Sequence, residues 1–342
     1  MPTTTEPVVR QLPQFERALA EGDAGTAVGI VDELLDSGVE PAMVMIELIS
    51  EAQRRIGDRW QRGEWSVAQE HTATGVSVAA TEAIARRVRA TPVSRGRIVI
   101  GCAEREWHAL PALVIATGLR ERGWNVTFLG ASTPADRLSA YLHDLGPDAA
   151  AVSCSIVGAL PSTRQFIEAS TGAGIPVVAG GAAFGPDDRR ARALGATAWA
   201  PGLREAVEIV DTLPAVVAPA EPLPAAALAE QQGLELAHRT VGETLRERWR
   251  PQDAFAPGTA KHADLVTVAR DCVDQSLYTL QGALLTGDGR IVRDTAGWVA
   301  ALLAARAVPG DSAPELAGEL ARVLRDYPRA VELLRAHWPE RS

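Results

Sequence analysis

IVIGCAEREWHALP, residues 98–111, joins a short apolar run to a polar loop. Ile98 to Gly101 is apolar throughout, which predicts a strand buried on both faces. The loop from Glu104 to Pro111 follows, and a helical pattern runs from Leu113 to Arg122. A buried strand, a loop and a helix in this order predict the first half of a β-α-β unit.

The same alternation continues through residues 93–214. Four more apolar runs alternate with helical patterns: Val126–Leu129, Ala149–Val152, Val177–Ala179 and the weaker Ala198–Ala200. Fully apolar strands separated by helices predict a parallel sheet covered on both faces. Five strands favour a flavodoxin-like, doubly wound α/β domain.

The regions on either side read as helical. In residues 8–92, apolar stripes at helical spacing predict a compact four-helix bundle, with Ser66 and Gln69 forming a capping box. Residues 215–228 are rich in proline and alanine and predict a semi-rigid linker. Residues 229–342 predict a second helical domain, in which Gly287-Asp288-Gly289 ends a long amphipathic helix.

Composition narrows the classes of function. The 342 residues carry a net charge of −9, which argues against direct binding of nucleic acid. No apolar run is long enough to span a membrane, and the N-terminus lacks the pattern of a signal peptide. The three cysteines are far apart, which predicts reduced thiols in a cytoplasmic protein.

The loop after the first strand carries the strongest candidate for a ligand. In a doubly wound fold, ligands bind outside the carboxyl ends of the strands, where His108 is expected to lie. Glu106 precedes it by two residues and is placed to accept a hydrogen bond from Nδ1, leaving Nε2 to bind a metal. The plainer interpretation is a surface histidine near an acid.

Small residues end two further strands. Ser153 and Ser155 follow the third strand, and Gly180 and Gly181 follow the fourth. Absent side chains let a bulky ligand approach the backbone. Together these residues predict a slot that runs down from His108 between the strand ends.

This region resembles the cobalamin-binding domains of the base-off, His-on type. Their motif is an acid, any residue, histidine, two residues and glycine, here Glu106 to Pro111 with Ala109 and Leu110 between. The resemblance implies that His108 ligates cobalt from below, that the two serines line the slot for the displaced dimethylbenzimidazole tail, and that the two glycines let it pass. Two departures are Pro111 in place of glycine and Ser155 in place of leucine.

The upstream helical region resembles the upper-face signature of the CarH-type cobalamin photoreceptors. The matching residues are Trp60, Val67, Glu70 and His71. The resemblance implies that Trp60 covers the adenosyl group of adenosylcobalamin, Val67 shapes its pocket and Glu70 contacts the adenosine. Gln61 stands where that family has a second histidine ligand. A core tryptophan and a solvated Glu-His pair remain the plainer interpretation.

The domain order resembles the photocobilins, whose last domain is globin-like and holds biliverdin. A bilin needs cations for its propionates and a polar partner for its pyrrole nitrogens. The candidates here are His262, Arg270, Asp274, Tyr278, Arg293 and Trp298. Cys272 is a potential attachment point, although a buried inert thiol is the simpler expectation. The alternative is a helical module for dimerisation or partner docking.

These observations predict an adenosylcobalamin-dependent light sensor. We expect a homo-oligomer whose assembly depends on light and which acts on a downstream protein that the sequence does not identify. The alternative is a corrinoid methyl carrier of a methyltransferase system. A radical mutase would need a barrel-type substrate domain, which these segments do not predict, and no catalytic motif indicates an enzyme.

Overall fold

The computed structural model describes residues 6–308 and 310–339. Its contacts divide the chain into two compact units, one ending at Ala220 and one beginning at Glu221, with the short segment Gln61–Gly63 grouped with the second. The first unit contains a helical cap and a five-stranded sheet. The second unit is helical in the residues described.

The cap is built from helices at the spacing that the apolar stripes predict. Its elements are α1 (Glu6–Glu21), α2 (Ala24–Asp36), α3 (Pro41–Val44), a π-helical segment (Met45–Ser50), α4 (Glu51–Gln61) and α5 (Val67–Val88). The capping box of α5 is confirmed, since Ser66 N donates to Gln69 Oε1 (2.9 Å) and Gln69 N donates to Ser66 Oγ (3.3 Å).

The sheet has the predicted flavodoxin-like topology. Its strands are β1 (Arg97–Ala103), β2 (Asn125–Thr133), β3 (Ala149–Ser153), β4 (Val177–Gly180) and β5 (Ala198–Ala200), all parallel in the order β2-β1-β3-β4-β5. The helices between and after them are α6 (Ala109–Glu121), α7 (Ala135–Leu145), α8 (Leu160–Gly172), α9 (Arg189–Ala193) and α10 (Leu203–Val210). The strand order reverses at β1, which makes the carboxyl ends of β1 and β3 the ligand-binding position of this fold.

The cap and the sheet share a core. Leu110 and Val114 of α6 and Leu203 of α10 are buried in the same apolar cluster as the cap helices. The cap is therefore held against the carboxyl edge of the sheet by hydrophobic burial.

The predicted linker differs from the structure. Val217 N donates to Gly174 O (3.0 Å) and Ala220 N donates to Thr171 Oγ1 (3.0 Å), so this part of the segment docks on the sheet unit. The next helix already begins at Ala225, because three alanines and Leu228 favour a helix once the last proline has been passed. The prediction of a linker over 215–228 was therefore wrong for its last four residues.

The second unit contains α11 (Ala225–Arg248), α12 (Ala260–Thr286), α13 (Arg290–Ala304), α14 (Ser312–Val323) and α15 (Pro328–His337). Gly287 ends α12 in the left-handed conformation, as the Gly-Asp-Gly break predicts. Its core includes Cys272, which is fully buried, and burial raises the pKa of this thiol to about 12. That is the inert thiol expected from the sequence.

Candidate functional site

The loop between β1 and α6 presents His108 at the carboxyl edge of the sheet. His108 is the N-cap residue of α6, and its side chain is 54% exposed. Pro111 is the third residue of this helix rather than the first. Its missing N–H costs nothing there either, because the first turn of a helix has no intrahelical acceptors for its N–H groups.

Glu106 holds the imidazole from below. Its Oε1 lies 2.7 Å from His108 Nδ1 and accepts from His108 N at 2.8 Å. Its Oε2 accepts from the backbone N–H groups of Ser155 and of Ile156, the latter at 3.0 Å. Four contacts on a fully buried carboxylate fix the tautomer with the proton on Nδ1, which leaves Nε2 as the electron-pair donor.

The charges of this pair reinforce each other. Burial raises the pKa of Glu106, but hydrogen bonds from His108 and Ser155 outweigh it and hold that pKa below the ordinary value of 4.5. The hydrogen bond to Glu106 raises the pKa of His108 above its ordinary 6.5, against an opposing effect of burial. The negative charge of Glu70 in the cap adds to this rise.

Two left-handed residues brace the loop. Arg105 and Ser132 have φ values of 69° and 48°, in a region that residues other than glycine seldom adopt. Arg105 N donates to Ser132 Oγ (3.1 Å), and Ser132 N donates to Glu106 O (2.9 Å). The end of β2 thus holds the His108 loop, a contact that the sequence pattern does not reveal.

A cavity of about 360 Å³ descends beside this loop. It lies between the sheet and helices α6 and α10, and the π-helical segment and α4 of the cap close its upper side. Its wall is almost entirely aliphatic, with Ser50, Gln53 and Ser153 as its polar side chains. An apolar slot with a few polar groups at one end is typical of a cofactor site.

The predicted slot residues divide into two groups. Ser153, Gly180, Gly181 and Leu110 line the cavity, whereas Ser155 does not and instead serves Glu106 through its backbone. Gly181 is required by the fold itself, because its φ is 108° and an added Cβ would lie 2.3 Å from Cys154 O. Ala109, the first residue of α6, is partly buried and does not line the cavity.

The predicted upper-face residues gather at the end of α4 and the start of α5. Trp60 is partly buried, Val67 is half exposed, and His71 Nε2 lies 3.4 Å from Glu70 Oε2. Thr74 Oγ1 lies 2.9 Å from Glu70 Oε1 and 3.2 Å from Gln53 Oε1.

Gln53 extends this polar chain to the cavity wall. Its Nε2 donates to the buried Ser77 Oγ at 2.7 Å, and its side chain lines the cavity. Gln53 and Thr74 were not predicted from the sequence. Their spacing to Glu70 is the only signal available, and it does not distinguish them from other polar residues of a helix.

The six candidate bilin residues are not brought together. Asp274 and Tyr278 lie beside His238, which stacks on the Tyr278 ring at 4.4 Å between centroids. Asp274 Oδ1 lies 3.0 Å from Arg246 Nη1 and 3.6 Å from His238 Nε2. His262 instead faces the carbonyl oxygens of Gln252 and Phe255, while Arg270 and Arg293 are exposed and Trp298 is partly buried.

The site fits a corrinoid. An imidazole with Nδ1 already engaged, beside a deep apolar slot, suits a metal that arrives with its own equatorial nitrogen ligands. Comparison with known families agrees, since residues 96–208 match the B12 binding domain and residues 12–84 match a second family described as a B12 binding domain. The chain carries two B12-binding domains. These domains indicate a corrinoid cofactor.

Similar proteins come from two functional groups. The HTH-type transcriptional repressor CarH of Myxococcus xanthus is 30% identical over 158 residues, which are 45% of this chain and 52% of that protein. A trimethylamine corrinoid protein of Methanosarcina barkeri is 23% identical over 165 residues, which are 47% of this chain and 75% of that one. The chain thus spans about half the length of the first relative.

A solved structure supports the fold. The monomethylamine corrinoid protein of Methanosarcina barkeri superposes with a TM-score of 0.53 at 16% identity, covering 58% of this chain and 97% of that one. Within the part of the chain that the structure describes, no helix is long and apolar enough to cross a membrane.

Proposed function

We propose that this chain is an adenosylcobalamin-dependent light sensor that also uses biliverdin as a second chromophore. The observation that carries the proposal is the hydrogen-bonded pair of the buried Glu106 with His108, beside an aliphatic cavity and under the electrostatic influence of the Glu70 carboxylate of the cap. This arrangement offers a lower ligand, a slot for a displaced base and a polar contact for an upper ligand.

On the lower side of the corrin, His108 is the proposed ligand. His108 Nε2 binds the metal, and Glu106 holds the ring in the required tautomer and raises the basicity of Nε2. The cavity excludes water from the base that His108 displaces. When bound, adenosylcobalamin supplies a cobalt–carbon bond that visible light breaks.

The cap supplies the response. Trp60, Val67 and Glu70 surround the upper group, in keeping with the CarH-type signature at these positions. Once that group has left, Trp60 and Glu70 lose a packing and hydrogen-bonding partner, so the cap shifts against the sheet and changes the assembly of the homo-oligomer. We propose a sensor rather than an enzyme, acting through a protein partner.

The helical unit is proposed to hold the bilin. The group formed by His238, Asp274, Arg246 and Tyr278 supplies an acceptor for pyrrole N–H groups, a cation for a propionate and an aromatic face. Asp274 retains its charge there. Burial raises its pKa, but the hydrogen bond from His238 and the charge of Arg246 outweigh it, so the pKa stays below 3.8.

A corrinoid methyl carrier is the second candidate. It is favoured by the fold likeness, which covers 97% of the monomethylamine corrinoid protein. A carrier shares His108 but needs no contact from Glu70 to an adenosyl group and no bilin.

Absorption spectra separate the two candidates. The sensor should bind adenosylcobalamin in the dark, change its spectrum irreversibly under green light and gain far-red absorbance when biliverdin is added. Trp60→Ala should retain the adenosyl form less well than the wild type, and Trp60→Phe should retain most of it. A protein that prefers methylcobalamin and exchanges its methyl group with a donor would overturn the sensor.

A further inference from the structure

We infer that the cavity selects corrinoids by the polarity of their lower base, accepting benzimidazole-type or phenolic bases and rejecting purines. This inference rests on the proposed function, because it assumes that the base displaced by His108 enters the cavity. The inference goes beyond the proposed function by stating which cobamides the protein binds, since cobamides differ from one another in their lower base.

The direction of the cavity follows from the register of the sheet. At the carboxyl edge, Ser153 pairs with Gly180 in one row. Ala151 and Val178 pair in the row two residues deeper, and Ile100 joins that row from β1. Two residues of strand span about 7 Å. The cavity therefore reaches well below the edge on which His108 stands.

The helices confirm which end is deep. α6 and α10 follow strands that they pack against and so run back towards the amino ends of the strands. Leu119 and Val210, near the ends of these helices, line the deep part, whereas Leu110 and Leu203, near their starts, line the mouth. The deep wall is thus aliphatic on its helical side as well.

The polar side chains of the wall all lie away from the deep end. Ser153 is at the sheet edge, and Ser50 and Gln53 belong to the cap. Ser50 Oγ donates to Met45 O at 2.8 Å, and Gln53 is engaged by Ser77 and Thr74. The backbone groups of interior strands and helices are already paired with one another.

The polar groups of a purine base would meet no partner in the deep part of this wall. Adenine and dimethylbenzimidazole are similar in size, but adenine carries an amino group and additional ring nitrogens. Each buried polar group without a partner weakens binding by roughly tenfold or more. A phenolic base such as p-cresol buries an apolar ring that carries no unpartnered nitrogen, so its binding is weakened little. Polarity, rather than volume, separates the classes.

The test compares four corrinoids bound to the wild-type protein in the dark: cobalamin, p-cresolylcobamide, adeninylcobamide and cobinamide, which has no base. All carry the same upper group, and dissociation constants come from spectral titration. The cresolyl and adeninyl forms are the decisive pair, because p-cresol cannot coordinate cobalt and adenine coordinates it weakly. We expect the adeninyl form to bind at least about tenfold more weakly than the cresolyl form.

A matched pair of variants links the effect to the wall. Val210→Thr replaces a methyl group by a hydroxyl at the deep end without changing the shape of the side chain. It should therefore reduce the ratio of the dissociation constants of the adeninyl and cresolyl forms, which we call the gap between the two cobamides. Val207→Thr makes the same change on the same helix at a residue that does not line this cavity, and it should leave the gap unchanged. Cobinamide should bind all three proteins equally.

The outcomes are distinct. Equal binding of adeninyl and cresolyl forms, within about threefold, would overturn the inference. Equal binding of cobinamide and every cobamide would show that no base enters the cavity, which overturns the inference but leaves ligation by His108 standing. Failure to bind any of the four would overturn the proposed function itself.

Discussion

Glu106→Gln is the substitution that tests the site most severely without changing its shape. Each carboxylate oxygen of Glu106 accepts two hydrogen bonds. Oε1 accepts from the ring and the backbone of His108, and Oε2 accepts from the backbone N–H groups of Ser155 and Ile156. An amide has only one oxygen. If its NH2 group faces Ser155 and Ile156, it meets two backbone donors. If it faces His108, it meets one backbone donor and draws the imidazole proton from Nδ1 to Nε2, in a site that is fully buried.

The expected loss follows from that count. Each buried donor left without an acceptor costs about 1–3 kcal/mol, so one or two stranded donors lower the free energy of unfolding by about 1–6 kcal/mol. That is a large part of the 5–15 kcal/mol typical of a domain. The affinity for the corrinoid should also fall by roughly 10–100-fold, because the ring loses its orienting partner.

Denaturant unfolding of the ligand-free protein measures the first effect, and spectral titration with hydroxocobalamin measures the second. Glu104→Gln is the matched control, since Glu104 lies in the same loop and makes no hydrogen bond to the imidazole. It should change either quantity by less than about 0.5 kcal/mol. A Glu106→Gln protein as stable as this control would refute the account of the buried carboxylate.

Three further predictions follow from the contacts. Gly181→Ala should destabilise the sheet unit by about 1–3 kcal/mol in denaturant unfolding, because Gly181 has a positive φ that alanine adopts only under strain. Gly75→Ala is the control and should be neutral or stabilising, because a Cβ there would meet nothing within 4 Å. In the ligand-free protein, NMR titration should place the pKa of His108 above 6.5. The contribution of protonated His108 to the free energy of unfolding is therefore complete below pH 6.5 and disappears as the pH rises through the raised pKa. A measured pKa at or below 6.5 would contradict this prediction. Thr74→Val should weaken binding of adenosylcobalamin roughly tenfold but not that of hydroxocobalamin, because Glu70 loses its hydroxyl donor. Thr74→Ser keeps the hydroxyl and should restore the affinity for adenosylcobalamin. Equal losses for both cofactors would indicate a general defect of the cap and contradict the prediction.

The strands and the contact between His108 and Glu106 were predictable because their signals are local. The runs at Ile98–Gly101 and Ala149–Val152 are apolar on both faces, and their ends mark the sheet edge within one or two residues. His108 and Glu106 are separated by one residue in a loop, so their contact needs no knowledge of the rest of the chain. The capping box at Ser66 is local in the same way.

What the sequence did not reveal depends on distant parts of the chain. The second half of the Glu106 site comes from the backbone of Ser155 and Ile156, about fifty residues away, and backbone donors leave no mark in a sequence. The π-helical segment Met45–Ser50 has the same apolar spacing as an ordinary helix. The bilin candidates scatter because helical spacing alone does not show which faces of α12 and α13 meet their neighbouring helices.

The central claim is that His108 binds cobalt from below in place of the corrinoid's own base. Its most direct test is electron paramagnetic resonance of the protein reduced to the Co(II) state, prepared with and without nitrogen-15-labelled histidine. The account predicts that the superhyperfine lines from the axial nitrogen change from a triplet to a doublet on labelling, and that His108→Ala abolishes this change. A triplet that survives histidine labelling would contradict the account, since the axial nitrogen would then belong to the cofactor.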